Sequence, residues 1–139
     1  MNYKIIGKYI KDLNFSIPNP KIFFLLSKNI SNYKINIDIK SNQIKQNIIE
    51  VLTSLTLSPS TNDFEKINTK IVFATIVELS NENIDKKEIE SIVLIKVPSQ
   101  IYGELRKIFI NLFENSGFKD IKISENIDFK KLHGMRKTQ

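Results

Sequence analysis

PSQIYGELRKIFINLFENSG, Pro98 to Gly117, is the longest segment of the chain with a clean helical period and helix punctuation at both ends. Its apolar residues fall at Ile101, Leu105, Ile108, Phe109, Leu112 and Phe113, spacings of three and four that build one continuous stripe on a helix. Glu104, Arg106, Lys107, Asn111 and Glu114 take the opposite face. Pro98 suits a first turn, where its missing N–H is not needed. Ser99 offers a cap, and Gly117 stands where a glycine closes a helix. A stripe carrying two phenylalanines must be covered by the rest of the chain or by a second subunit.

Working outward, the material available to cover it is β-patterned. Ile5 to Ser16 reads as a strand with Tyr9, Leu13 and Phe15 on one side and Lys8, Ile10, Asp12, Asn14 and Ser16 on the other. It stops at Ile17-Pro18-Asn19-Pro20, where two prolines hold the chain extended through a crossing segment. The run Ile22 to Leu26, IFFLL, is too short to assign by period; it is either a buried turn of helix or a partly exposed apolar surface. Tyr33 to Lys40 alternates strictly, Tyr33, Ile35, Ile37 and Ile39 against Lys34, Asn36, Asp38 and Lys40, as a half-buried antiparallel strand does. Lys45 to Leu57 and Thr69 to Leu79 are further strands, separated by a loop through Ser58-Pro59-Ser60-Thr61-Asn62-Asp63.

Together these segments predict an α+β fold, a four-stranded antiparallel meander with a long helix and short helices packed on one side. Ile48, Leu52, Val72, Ala74 and Ile76 make the strands apolar on their second face too, which argues for a subunit contact there. Asp85 to Lys96 reads as a short helix ending at a break before Pro98, and Phe118 to Ser124 as extended chain. A short amphipathic helix with Ile127, Phe129 and Leu132 on its apolar side follows, and residues 130–139 are expected to be a flexible basic tail.

With 139 residues, the chain is expected to be a single domain spanning 1–139, large enough for a core without staples. It has no cysteine, which excludes a disulfide frame, a thiolate nucleophile and a cysteine zinc site and suits a reducing compartment. The N-terminus lacks the apolar core of a signal peptide, and no run approaches the roughly 20 apolar residues of a spanning helix, so the expected location is cytoplasmic with no membrane association. The formal charge of +6 is unevenly spread: residues 1–57 carry an excess of lysine, residues 58–129 an excess of acid, and the last ten residues are basic again. The lysines of the first part are spaced singly along strands, without arginine clusters or an aromatic platform, which speaks against nucleic acid as the partner.

Catalytic parts are scarce. His133 is the only histidine and stands in the basic tail, where it reads as an exposed spectator. Gly7, Gly103, Gly117 and Gly134 are too scattered for a phosphate loop, and Glu88 and Glu90 read as a charged, solvated turn beside Lys86 and Lys87. No catalytic group, metal site or cofactor is expected, and the chain does not read as an enzyme.

Two separated stretches resemble the SecB family of protein-export chaperones. In Tyr9 to Pro20, YIKDLNFSIPNP, the tyrosine, the Lys-Asp pair, the phenylalanine and the Pro-Asn-Pro ending resemble the family's opening strand and crossover. In the second stretch Pro98, Ile101, Tyr102, Leu105 and Arg106 resemble the start of the family's long helix. Gly117-Phe118, Ile121, Ile123, Ile127, Asp128 and Phe129 resemble its ending. The resemblance implies a homotetramer, a dimer of dimers with long helices sandwiched between sheets. It implies an ATP-independent holdase that binds unfolded secretory precursors in apolar grooves and passes them to the SecA motor. By family position the groove is lined by the crossover (Pro18, Pro20, Phe23, Phe24, Leu26), by Tyr33, Ile35 and Ile37, and by Phe129 and Leu132. The subunit interface would take Tyr9, Ile101, Leu105, Ile108, Phe109 and Leu112.

In the family the open sheet face presents acids to the basic, zinc-bearing tail of SecA. The corresponding positions here are Asp12, Ser16, Ile76 and the neighbouring Glu78, so two of the four carry no charge. The helix-start proline is replaced by Gly103, and two later prolines by Lys119 and Glu125. The alternatives are a SecB-like chaperone uncoupled from SecA and a small basic nucleic-acid-binding domain.

Overall fold

The computed structural model describes residues 2–61, 67–81, 83–118, 121 and 123–137. Of the segments read above, Asn62, Asp63, Lys119, Asp120, Lys122 and the last two residues of the tail lie outside that range. The elements are β1 (Tyr3–Ser16), α1 (Pro20–Asn29), a 3-10 turn (Ile30–Asn32), β2 (Tyr33–Lys45), β3 (Ile48–Pro59), β4 (Asn68–Leu79), α2 (Lys86–Ser91), a π-helical turn (Ile92–Lys96), α3 (Val97–Asn115) and α4 (Phe129–Lys137).

The alternation of Tyr33 to Lys40 does produce a half-buried strand, joined to β3 by the two-residue turn Gln46-Asn47. Asn47 takes a φ of 66°, a left-handed conformation that asparagine tolerates better than most residues. All pairings are antiparallel, but the order across the sheet is β1-β4-β3-β2. The meander therefore holds for β2 to β4 only. β1 pairs with β4 instead of β2, a Greek-key arrangement, because the proline-bearing crossover cannot make a hairpin. Asn19 instead caps a helix there, its Oδ1 accepting the Ile22 N–H at 2.9 Å, with Pro20 in the first turn. The run IFFLL lies inside α1, with Ile22 and Leu26 buried and Phe24 on the surface, so both readings of it hold in part.

β1 carries two bulges, between Ile5 and Gly7 and between Ile10 and Asp12. Each shifts the inward–outward phase by one residue. Tyr9 thus pairs with Ala74 on the face away from the helices, whereas Leu13 pairs with Ile71, which is buried beneath them. The expectation that Tyr9 and Leu13 share a side fails for this reason.

No break occurs at Pro98: α2, the π turn and α3 run on without interruption. The Val97 N–H donates to the Ile92 carbonyl five residues back, and this wider turn accommodates the ring that would clash with the carbonyl four back in a regular helix. Ser99 is not a cap; its hydroxyl donates to the Ile95 carbonyl at 2.6 Å. At the far end the reading of Gly117 holds. With φ at 94° it lets the Phe118 N–H reach the Phe113 carbonyl (3.0 Å) and its own N–H the Glu114 carbonyl (3.1 Å), a Schellman closure sealed by the Phe113–Phe118 ring contact.

Ile101, Leu105, Phe109 and Phe113 are buried in one core with Val51, Leu55, Ile71, Phe73 and Val77 of the sheet. The stripe is thus covered within the chain, at about 1.5–3 kcal/mol per fully buried side chain. Ile101, Leu105 and Phe109, expected at a subunit interface, have no side-chain surface left for a second chain, while Ile108 and Leu112 remain half-buried. Residues 130–137 of the expected tail are helical and belong to α4.

Candidate functional site

The 3-10 turn ends α1 and swings the chain into β2, the Tyr33 N–H closing on the Ile30 carbonyl. Along β2 the inward side chains are half-buried at Tyr33, Ile35 and Ile37 and fully buried at Ile39. The half-buried end borders an open groove of about 740 Å³. One side is formed by Ser27, Lys28, Ile30 and Tyr33, and the floor by Ile35, Leu57 and Tyr102. Ile121, Ile123 and Ile127 form the far wall.

The described part of that wall belongs to no strand or helix, and α3 holds its backbone instead. The Tyr102 hydroxyl donates to the Ser124 carbonyl at 2.7 Å, and Arg106 Nε donates to the Ile123 carbonyl at 3.1 Å. Burial pushes the Tyr102 phenol above its ordinary pKa, against a smaller opposing pull from Arg106, so the donor stays protonated. The Tyr102 ring also meets Phe129 edge-on, 5.9 Å between centroids.

The expected lining residues divide. Tyr33 and Ile35 line the groove; Ile37 lies next along the same face without lining it. Leu26 and Phe129 are buried in the core and unavailable to a ligand. Phe23 packs on Phe118 (5.1 Å) and against Gly117. Phe24 is 69% exposed, one turn before the lining residue Lys28, and Pro18 and Pro20 are exposed at the head of α1. Leu132 is half-buried in an apolar niche with Ile39, Leu94, Phe129 and His133. His133 is not an exposed spectator: its side chain is only 14% exposed and its Nε2 lies 3.2 Å from Glu90 Oε1, which ties α4 to α2. Glu88 is also engaged, accepting from Lys96 at 3.0 Å and Asn2 at 3.2 Å, contacts that hold its carboxyl below the usual range. No group of three or more His, Cys, Asp or Glu that could hold a metal occurs among the described residues.

The open sheet face holds the other expected set. Ser16 pairs with Asn68 and Asp12 with Val72, whereas Ile76 sits between Gly7 and Glu50. Glu78 lies 3.4 Å from Lys4. From Asn68 to Glu78 is about 33 Å of strand, so the four positions form no single cluster. An acid not singled out in the sequence dominates the middle of this face. Glu50, 8% exposed, accepts from the Tyr9 hydroxyl and from Lys11 Nζ at 3.2 Å, and Asn42 bonds it too. The Tyr9 bond foremost, with the Lys11 and Asn42 contacts, outweighs burial and holds its carboxyl below the usual range.

The family of the preprotein translocase subunit SecB matches residues 1–139. The chain belongs to the SecB family. A relative from Pelagibacter ubique, which bears the name protein-export protein SecB provisionally, is 42% identical over 97% of this chain and 96% of its own length. The protein-export protein SecB of Ehrlichia chaffeensis is 25% identical over 94% of this chain and 86% of its own. A solved SecB-like chaperone from Mycobacterium tuberculosis, in complex with a peptide from an antitoxin, shares the fold with a TM-score of 0.66 at 12% identity, covering 91% of this chain and 88% of that one. The protein is accordingly a SecB-family protein-export chaperone and, like the family, not an enzyme. No helix among the described residues is long and apolar enough to cross a membrane.

The SecB resemblance at the start of the long helix now has a physical content. Its aromatic and arginine, Tyr102 and Arg106, are the two residues that pin the groove wall. Ile30, Leu57, Tyr102, Ile121, Ile123 and Ile127 were missed as lining residues. The apolar spacing after Gly117 signalled a buried side there, but the sequence carries no sign that it folds back toward β2.

Proposed function

We propose that this SecB-family chain is an ATP-independent holdase, working in the cytoplasm, that keeps unfolded precursor polypeptides competent for export. The single observation that carries the reading is the open groove lined by Tyr33, Ile35, Tyr102 and Ile123: a trough that mixes aliphatic and aromatic side chains with a polar rim of Ser27, Lys28, Lys34 and Ser124, with no catalytic constellation among the described residues beside it. Burial of client side chains there, at about 25 cal/mol per Å² of apolar area, supplies affinity without sequence preference or nucleotide. The active form is a dimer of dimers in which long helices are sandwiched between sheets; Ile108 and Leu112 still have surface to contribute on the helical side, and Tyr9 on the opposite face of the sheet.

Coupling to SecA is a separate matter. Ile76 and Ser16 carry no charge and Glu78 is matched by Lys4, which favours a holdase that does not use the acidic docking face of its relatives. Light scattering of a slowly folding client without nucleotide tests the holdase. Titration with a SecA tail peptide tests the coupling, and submicromolar binding would restore the motor as partner.

A further inference from the structure

At the end of the open face, away from the groove, lies a hollow of about 840 Å³ between the start of β1, the end of β4 and the β2–β3 turn. Its apolar contacts are Ile6, Ile44, Ile48, Ile76 and Leu79. Ile6 is 49% and Ile44 is 54% exposed, and both sit at strand irregularities, between Ile5 and Gly7 and between Gln43 and Lys45, where no cross-strand partner is assigned to them. Bulges re-aim a side chain out of the pleat. Here two of them set large isoleucines at one hollow on the face that carries no helix.

The charges around the hollow are not balanced. Of the acids on this half of the face, Glu78 is matched by Lys4, Glu50 is nearly buried beneath the contacts of Tyr9, Lys11 and Asn42, and the exposed Asp38 stands two residues before Lys40 on the same face of β2, on the side away from the hollow. Lys45 lines the hollow and Lys40 stands on the adjoining strand row, opposite Leu52. Both are exposed, and neither has a carboxylate at ion-pair distance among the described residues.

We propose that this hollow is a docking site for an acidic segment of a second protein, which inserts a bulky apolar side chain between Ile6, Ile44 and Ile76 and sets its carboxylates against Lys40 and Lys45. The occupant follows from charge complementarity: unpaired lysines beside an apolar depression repel a basic tail and attract an acidic one. A phosphate backbone would gain from the lysines but not from the isoleucines. The site is separate from the groove and stands whether or not the holdase reading does.

The test uses the full chain and two short fluorescent peptides with the same leucine and phenylalanine content, one bearing glutamates and one lysines. Fluorescence anisotropy is expected to show the glutamate peptide binding more tightly by about tenfold, the preference shrinking as salt rises. The exposed-site variant K40E/K45E should abolish that preference, and I44S should weaken the glutamate peptide about fivefold at unchanged circular dichroism. I35D, in the groove, should leave it unaltered. The proposal is overturned if the lysine peptide binds as well, if K40E/K45E changes nothing, or if I35D removes the binding and so places the peptide in the groove. It is also overturned if a thymidine oligonucleotide of equal charge binds as tightly and is equally weakened by I44S, which would make the site a polyanion surface.

Discussion

Tyr102 and Arg106 do for the groove what strand pairing does elsewhere in the molecule. The described residues of the wall, 121 and 123–127, have no ladder of their own, and two side chains of α3 satisfy the Ile123 and Ser124 carbonyls. Removing one such donor costs about 0.5–1.5 kcal/mol. Y102F should therefore lower stability by about 1 kcal/mol in urea denaturation, and should weaken client binding further by loosening the wall. An unchanged client affinity would mean that Arg106 and the isoleucines hold the wall without the Tyr102 hydroxyl.

Glu50 makes a prediction in pH. Its folded carboxyl titrates below the unfolded value of about 4.3, so it stabilises the fold above that pH and the contribution disappears as pH falls through the lower folded value. The stability gap between wild type and E50Q should be constant near neutrality and close in acid. Denaturation midpoints across that range check it. Neither residue's role could be read from the sequence. Tyr102 sits among the apolar positions of a helical stripe, and its hydroxyl partner lies 22 residues away in a segment whose apolar spacing does not say what it folds against. Glu50 occupies the polar phase of its strand, and only the sheet order brings β1's Tyr9 and Lys11 to it.

Among the elements, the long helix was the most legible and its start the least. The stripe and the Gly117 closure follow from spacing and from one conformational requirement, and both are present. The conformation at Gly117 is one that a Cβ disfavours, and an added Cβ would stand 3.4 Å from the Phe23 ring. G117A should cost about 1–2 kcal/mol, measured by the urea midpoint; a neutral result would show the closure to be adaptable. Pro98 misled because the usual rule, that proline ends a helix, assumes i→i−4 bonding, whereas the π turn supplies i→i−5 bonding ahead of it. The first and fourth strands were found with nearly their true limits, whereas β2 runs five residues past Lys40 and β3 spans Ile48–Pro59 instead of Lys45 to Leu57; and alternation reports which face a residue takes, not which strand lies beside it. That is why β1 was placed next to β2, and why the bulges reversed the side assigned to Leu13.

At the scale of the whole molecule, the distribution of function follows from which apolar surface the chain covers by itself. α3 buries its stripe on the sheet, and the openings that remain include the groove between α1, β2 and the wall of Ile121, Ile123 and Ile127, and the hollow on the open face. The family was legible from two short motifs, and the half-exposed Tyr33 and Ile35, expected to meet the client, line the groove. Leu26 and Phe129 were not separable from core residues, because a hydrophobic side chain has the same sequence signature whether it is met by client or by its own fold. The central claim is that apolar burial in this groove holds unfolded clients. Light scattering of an aggregating client, with wild type, I35D and the open-face variant K40E/K45E, tests it most directly. The account predicts that wild type and K40E/K45E suppress scattering to a plateau near one tetramer per client without nucleotide, while I35D, still folded by circular dichroism, needs about tenfold more protein. Equal suppression by folded I35D, or none by wild type, would contradict it.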